Sequence, residues 1–124
     1  MYYNFGLRQK SASLDEKTSV LVSSSLAETS SNVIQQALAC GTPIIATDCR
    51  GGTSEILEGG KWGRLVPVAN PQAMADAIIA SLKDKNHPDG RMRAADFDPR
   101  KNSKEYLKII LPDFIPYLTP TVVL

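Results

Sequence analysis

Residues 31–47, SNVIQQALACGTPIIAT, leave little freedom to the rest of the chain. Val33, Ile34, Ala37 and Leu38 recur at helical spacing, so this stretch forms a helix with one apolar face. Ser30 or Ser31 stands where a side chain can cap the first unpaired amides. Gly41 follows the last periodic residue, where left-handed backbone closes a helix. Pro43 then opens IIAT, a short apolar run that suits a strand covered on both faces. A helix feeding such a strand through a tight turn is most of a right-handed βαβ unit.

The remaining segments continue the alternation. Residues 19–23, SVLVS, read as the strand before the helix, and residues 24–30 as the loop at its carboxyl end. After IIAT comes Asp48, then a turn at Gly51 and Gly52, then a short helix over residues 53–57. A turn at Gly59 and Gly60 leads to a third strand, GRLVPV, at residues 63–68. Asn70 followed by Pro71 is a helix start, with Met74, Ile78, Ile79 and Leu82 expected as its core stripe. Residues 86–90 break that helix. A last helix is expected over residues 104–111, with Tyr106, Leu107 and Ile110 facing inward. Tyr2, Tyr3 and Phe5 are candidates for a short N-terminal strand. The pattern predicts the α/β class, a Rossmann-like parallel sheet of three to four strands flanked by helices. So thin a sheet leaves an apolar edge for the N-terminal residues or another chain to cover.

Bulk properties exclude several classes. A chain of 124 residues with net charge +1 is one compact domain with no general attraction to nucleic acid. No run reaches the ~18–20 apolar residues of a membrane span, and no signal peptide is visible, so a cytoplasmic location is expected. Cys40 and Cys49 are too far apart for a CxxC pair and His87 is the single histidine, so they are read as packing and loop residues rather than metal ligands. Trp62, between Gly60 and Gly63, is read as packing over a turn.

Residues with chemistry gather around the first helix. Glu28, at the carboxyl end of the first strand, can accept hydrogen bonds from sugar hydroxyls. Ser30, Ser31, Asn32 and Val33 form a helix N-terminus, whose free amides and partial positive charge suit phosphate. Gln36, four residues beyond Asn32, lies on the same helix within reach of ligand hydroxyls. Gly51, Gly52 and Thr53 form a candidate ligand loop, because glycine lets backbone approach a bound molecule. Solvated loop acids, exposed helix residues and plain turns supply a bland alternative for each. Neither a Walker loop nor a GxGxxG motif is present.

Residues 28–43, ETSSNVIQQALACGTP, resemble the donor-site segment of the retaining glycosyltransferases of family 4, GT-B enzymes with two Rossmann-like domains facing a cleft. The resemblance continues through IIATDCRGGTSEIL and GKWGRLVPVANPQAMADAI and weakens in AADFDPRKNSKEYL. It implies that residues 1–111 are the C-terminal half of a nucleotide-sugar-binding domain, with residues 112–124 a proline-containing tail. It implies a UDP- or GDP-linked sugar as substrate, a glycan or lipid-linked acceptor, and no metal or other cofactor. Glu28 matches the first glutamate of the family's pair, placed near the donor sugar, and is the implied catalytic residue. The second glutamate, which holds the nucleotide ribose, is here Gln36. Thr29, Ser30 and Ser31 stand where glycine or an aromatic residue is common. The basic residues that neutralise the donor diphosphate find no match, since Arg8 and Lys10 lie elsewhere in the family's order. The expected outcome is a piece inactive alone, associated at most peripherally with the inner membrane face. The competing expectation is a non-catalytic interaction module completed by a separate chain.

Overall fold

The computed structural model describes residues 18–28 and 31–112. Within them the main sheet has three strands: β1 (Leu21–Ser23), β3 (Ile44–Thr47) and β5 (Arg64–Val66). The order is β1-β3-β5, all parallel, with Val22 opposite Ile45 and Ala46 opposite Leu65. The α/β class and the parallel sheet are as the sequence predicts. The anticipated N-terminal strand at Tyr2, Tyr3 and Phe5 lies outside the described residues, as does the tail beyond residue 112.

The first helix, α1 (Asn32–Cys40), forms as its caps dictate. Ser31 is the N-cap and its hydroxyl accepts from the Ile34 amide at 3.4 Å. Gly41 closes the helix at φ 69°, and the Thr42 amide returns to the Ala37 carbonyl. Ile34, Ala37 and Leu38 are fully buried against Ile44 and Ala46 of β3 and against Ile56 and Leu57. Each large side chain so buried contributes about 1.5–3 kcal/mol. All four residues of β3 are buried, as a central parallel strand requires. Ile44 and Ala46 turn toward α1, while α3 (Pro71–Lys83) packs against β3 and β5.

Short elements complete the layer. A second parallel ladder joins β2 (Ala27–Glu28) to β4 (Arg50–Gly51). The helix α2 (Thr53–Ile56) leads into a 3₁₀ turn at Glu58–Gly60, over which Trp62 packs, donating Nε1–H to Glu58 at 2.8 Å. Asn70 caps α3 through the Ala73 amide, with Pro71 in its first turn, as expected. Arg64 at the start of β5 pairs with Asp84 just after α3, at 3.2 Å.

The structure departs from the sequence reading in its C-terminal third. A helix α4 (Arg91–Ala94) and a 3₁₀ turn at Ala95–Phe97 follow the break, where no element was expected. Gly90 permits this. A Cβ there would lie 2.7 Å from Cδ2 and 3.0 Å from Cα of Leu38, so only glycine lets α4 close on α1. The last helix, α5 (Pro99–Ile110), begins five residues before the expected start (104 − 99), with Asp98 capping the Arg100 amide. Two apolar stripes are corrected. On α3, Ile79 and Leu82 are exposed, and the buried residue is Ser81. On α5, Tyr106 and Ile110 are exposed and only Leu107 is half-buried. Met74 and Ile78 of the α3 stripe are half-buried, since α3 packs on β3 and β5, whereas Ile79, Leu82, Tyr106 and Ile110 have no layer over them among the described residues. No helix among the described residues is long and apolar enough to cross a membrane.

Candidate functional site

Parallel pairing puts the carboxyl ends of β1, β3 and β5 on one edge of the sheet. Ligands of open α/β sheets bind outside this edge. Three loops leave it, and hydrogen bonds hold them together. The Thr47 hydroxyl donates to the Ser25 carbonyl, linking the loop after β1 to the end of β3. The Asp48 amide donates to the Val66 carbonyl at 2.7 Å, linking β3 to the end of β5.

Beyond these links, the loops after β1 and β3 run side by side as β2 and β4, with Ala27 opposite Arg50 and Glu28 opposite Gly51. The approach is close enough to dictate sequence. Gly51 has φ 125°, and a Cβ on it would sit 1.6 Å from the Glu28 carbonyl oxygen. The Gly52 amide donates to that same carbonyl at 3.0 Å. Glu28 is therefore held at both its register position and its carbonyl, by the two glycines singled out from sequence.

The helix ends complete the edge. With Ser31 as N-cap, the Ile34 amide goes to its hydroxyl and the Gln35 amide to its carbonyl. The amides of Asn32 and Val33 then precede the helical ladder, where helix N-termini offer donors to anions. Ser31 is 2% exposed, so its hydroxyl serves the cap first. Val33 is half-buried against the core, leaving its backbone rather than its side chain for a ligand. Asn32 is exposed, and Gln36 lies half-buried about one turn further along α1. Thr53 starts α2 but its side chain is buried beside Cys49, with Oγ1 and Sγ 3.5 Å apart. Its contribution is to fix the loop from below. Ser30 lies outside the described residues.

The structure thus brings Glu28, Gly51 and Gly52 together in front of the start of α1, and sets Gln36 deeper on that helix. It turns the side chains of Val33 and Thr53 inward. The β2–β4 ladder is what sequence reading missed. Its one signal is a glycine following a short extended loop, which is also the signal of any turn. The edge carries two carboxylates, Glu28 and Asp48, and among the described residues no group of three metal-ligating side chains comes together.

Comparison with known proteins bears on the family and the fold. Residues 5–84 match the family described as glycosyl transferases group 1. An N-acetylgalactosamine-N,N'-diacetylbacillosaminyl-diphospho-undecaprenol 4-alpha-N-acetylgalactosaminyltransferase of Campylobacter jejuni is 32% identical over 88 residues, covering 65% of this chain and 24% of that protein. A phosphatidyl-myo-inositol mannosyltransferase of Mycobacterium leprae is 38% identical over 52 residues, 42% of this chain and 14% of that protein. Sucrose-phosphate synthase of Thermosynechococcus elongatus superimposes with TM-score 0.63 at 27% identity, covering 81% of this chain and 26% of that structure. The chain spans a quarter or less of the length of the curated relatives it matches. A family match over more than half the chain, with a fold shared by the solved sucrose-phosphate synthase, places it among the group 1 glycosyltransferases.

Proposed function

We propose that this chain is the donor-binding part of a retaining group 1 glycosyltransferase of family 4, the C-terminal half of its nucleotide-sugar domain. The observation that carries this reading is the Glu28–Gly51 pairing at the carboxyl edge, directly ahead of α1. It offers a carboxylate on a held stretch of backbone for sugar hydroxyls, close backbone, and helix amides for phosphate. The substrate is a UDP- or GDP-linked sugar and the acceptor a glycan or lipid-linked molecule. The relatives' names, with undecaprenol and phosphatidyl-inositol in them, favour the lipid-linked class. In this reading Glu28 acts at the donor sugar, the amides of residues 30–33 take phosphate, and Gln36 accepts from the ribose. Gly51, Gly52 and Thr53 shape the loop. The chemistry uses protein dipoles and charges rather than a metal. The chain alone is inactive, and works in the cytoplasm, at most peripherally at the membrane.

A second reading is an interaction module completed by another chain. It is favoured by β1, an edge strand of the sheet among the described residues, with Val22 39% exposed. Amide NMR spectra of the chain, titrated with UDP, GDP and their sugar derivatives, separate the two. Shifts confined to Glu28, residues 31–36 and residues 51–53 are expected for donor binding, whereas an unshifted, dispersed spectrum favours the module. Gln36→Glu sharpens the test. A charge-assisted bond exceeds a neutral one by about 1–2 kcal/mol, so this variant should bind nucleotide about tenfold tighter.

A further inference from the structure

Resting on the donor-site reading above, we propose that Arg50 is the basic side chain of this chain that binds the diphosphate of the donor, alongside the amides at the start of α1. Among the described residues it is the single basic side chain in the segments that leave the carboxyl ends of the strands, residues 24–28, 48–52 and 67–70. The other described cations lie elsewhere: near the end of α3, on α4 and α5, or at the amino end of β5, where Arg64 is paired with Asp84. Arg50 itself is exposed and takes part in no ion pair or side-chain hydrogen bond among the described residues.

The ladder explains why no described carboxylate pairs with it. Arg50 is in register with Ala27, whose methyl group cannot pair with a guanidinium, and Glu28 is in register with Gly51. Side chains alternate along a strand, so Arg50 and Glu28 leave opposite faces of the ladder and do not neutralise each other. A nucleotide sugar lying across the end of this ladder meets a carboxylate on one side and a guanidinium on the other. The carboxylate suits sugar hydroxyls, while the planar guanidinium suits two phosphate oxygens at once. Glu28 and Asp48 place two carboxylates at this edge, and Arg50 offsets part of their charge toward an anionic ligand. Gly51 fixes the arrangement, because any side chain there would push β4 off Glu28 and carry Arg50 with it.

The test is titration of the full chain and of R50A, R50K and R50E at fixed ionic strength. The probes are uridine, UDP, guanosine, GDP and inorganic pyrophosphate. Expected results are diphosphate and pyrophosphate binding weakened at least tenfold in R50A, partly restored in R50K and lost in R50E, with nucleoside binding unchanged. Equal UDP or GDP affinity in the parent chain and R50A overturns the role of Arg50 and leaves the donor site standing. A parallel loss of nucleoside binding in R50A also overturns it, because the residue then acts on loop structure. If the parent chain binds none of the probes, the donor-site reading falls and this inference falls with it.

Discussion

The helices α1 and α5 carry the same kind of sequence pattern and meet opposite fates. Ile34, Ala37 and Leu38 of α1 are fully buried. No residue of α5 is buried, and Tyr106 and Ile109 are 69% and 81% exposed. Composition accounts for part of this, since α1 has no charged residue and α5 carries Arg100, Lys101, Lys104, Glu105 and Lys108. Topology adds to it. The first helix lies between two strands that pair with each other, so the crossover presses it onto the sheet. The last helix follows no strand and leans mainly on the 3₁₀ turn before it. A periodic stripe says which face of a helix is apolar; the connections on either side decide whether that face is covered.

The sharpest way to break this comparison is a pair of truncations. Leu38→Ala removes a fully buried side chain that touches both the sheet and α4, and should cost about 3 kcal/mol. Ile109→Ala removes one of similar size from α5 and should change stability by less than about 0.5 kcal/mol. Urea unfolding of the two variants checks both. A large cost at Ile109 would mean that the α5 stripe is covered in solution, and the contrast would disappear.

Arg93 marks where the two regions join. From α4 it donates to the carbonyls of Ile56 and Glu55 at 2.9 and 3.0 Å, and pairs with Asp96 and Glu58. Its guanidinium also sits 4.7 Å from the Phe97 ring centroid. Removing it strips acceptors at the end of α2 of their charged donor, so Arg93→Ala should cost about 2 kcal/mol. Hydrogen exchange locates the loss: α2 and α4 amides should lose protection while β3 keeps its own. Uniform loss across the chain would show that the C-terminal third is no more separable than α1.

These contrasts also explain what could be read from sequence. Ser31, Gly41, Asn70 and Pro71 announced helix ends correctly, because capping depends on residues within one turn of each other. The strand IIAT was legible because a fully buried strand has an uninterrupted apolar run. By contrast, α4 rests on Gly90 meeting Leu38, a long-range contact with no local signature. The exposure of Ile79, Leu82, Tyr106 and Ile110 was hidden for the same reason. At the candidate site the residue types were legible, but not their meeting. Glu28 and Gly51 are joined by a ladder of two pairs, too short to print any alternation.

That ladder supplies a smaller and more local prediction. Gly51→Ala places a Cβ into the Glu28 carbonyl at a φ that other residues rarely adopt. A two-pair ladder can detach without opening the core, so global stability should fall by only about 1 kcal/mol. Amide shifts should move at Glu28 and Gly52, and donor binding should weaken more than stability does. Unchanged shifts at Glu28 would mean the loops after β1 and β3 are not held side by side.

The smallest effect concerns acid. The Glu58 carboxyl is held below the usual glutamate range, chiefly by the Trp62 indole donor, with Lys61 and Arg93 nearby. Glu105 is held low by Lys108 on the exposed side of α5. A carboxylate depressed in the folded state stabilises the fold at pH above its unfolded value, roughly 4.3 for glutamate, and loses that contribution as pH falls through the folded value. Glu58→Gln and Glu105→Gln should therefore each be less stable than the parent near neutral pH, and the gap should close in acid. The two differ in what they are tied to. Glu58 binds Trp62 and Arg93, which pack on the covered half, while the Glu105 pair lies within one exposed helix and is screened by salt. The Glu58 gap should persist in high salt and the Glu105 gap should vanish, which unfolding curves across pH at two salt concentrations would read directly.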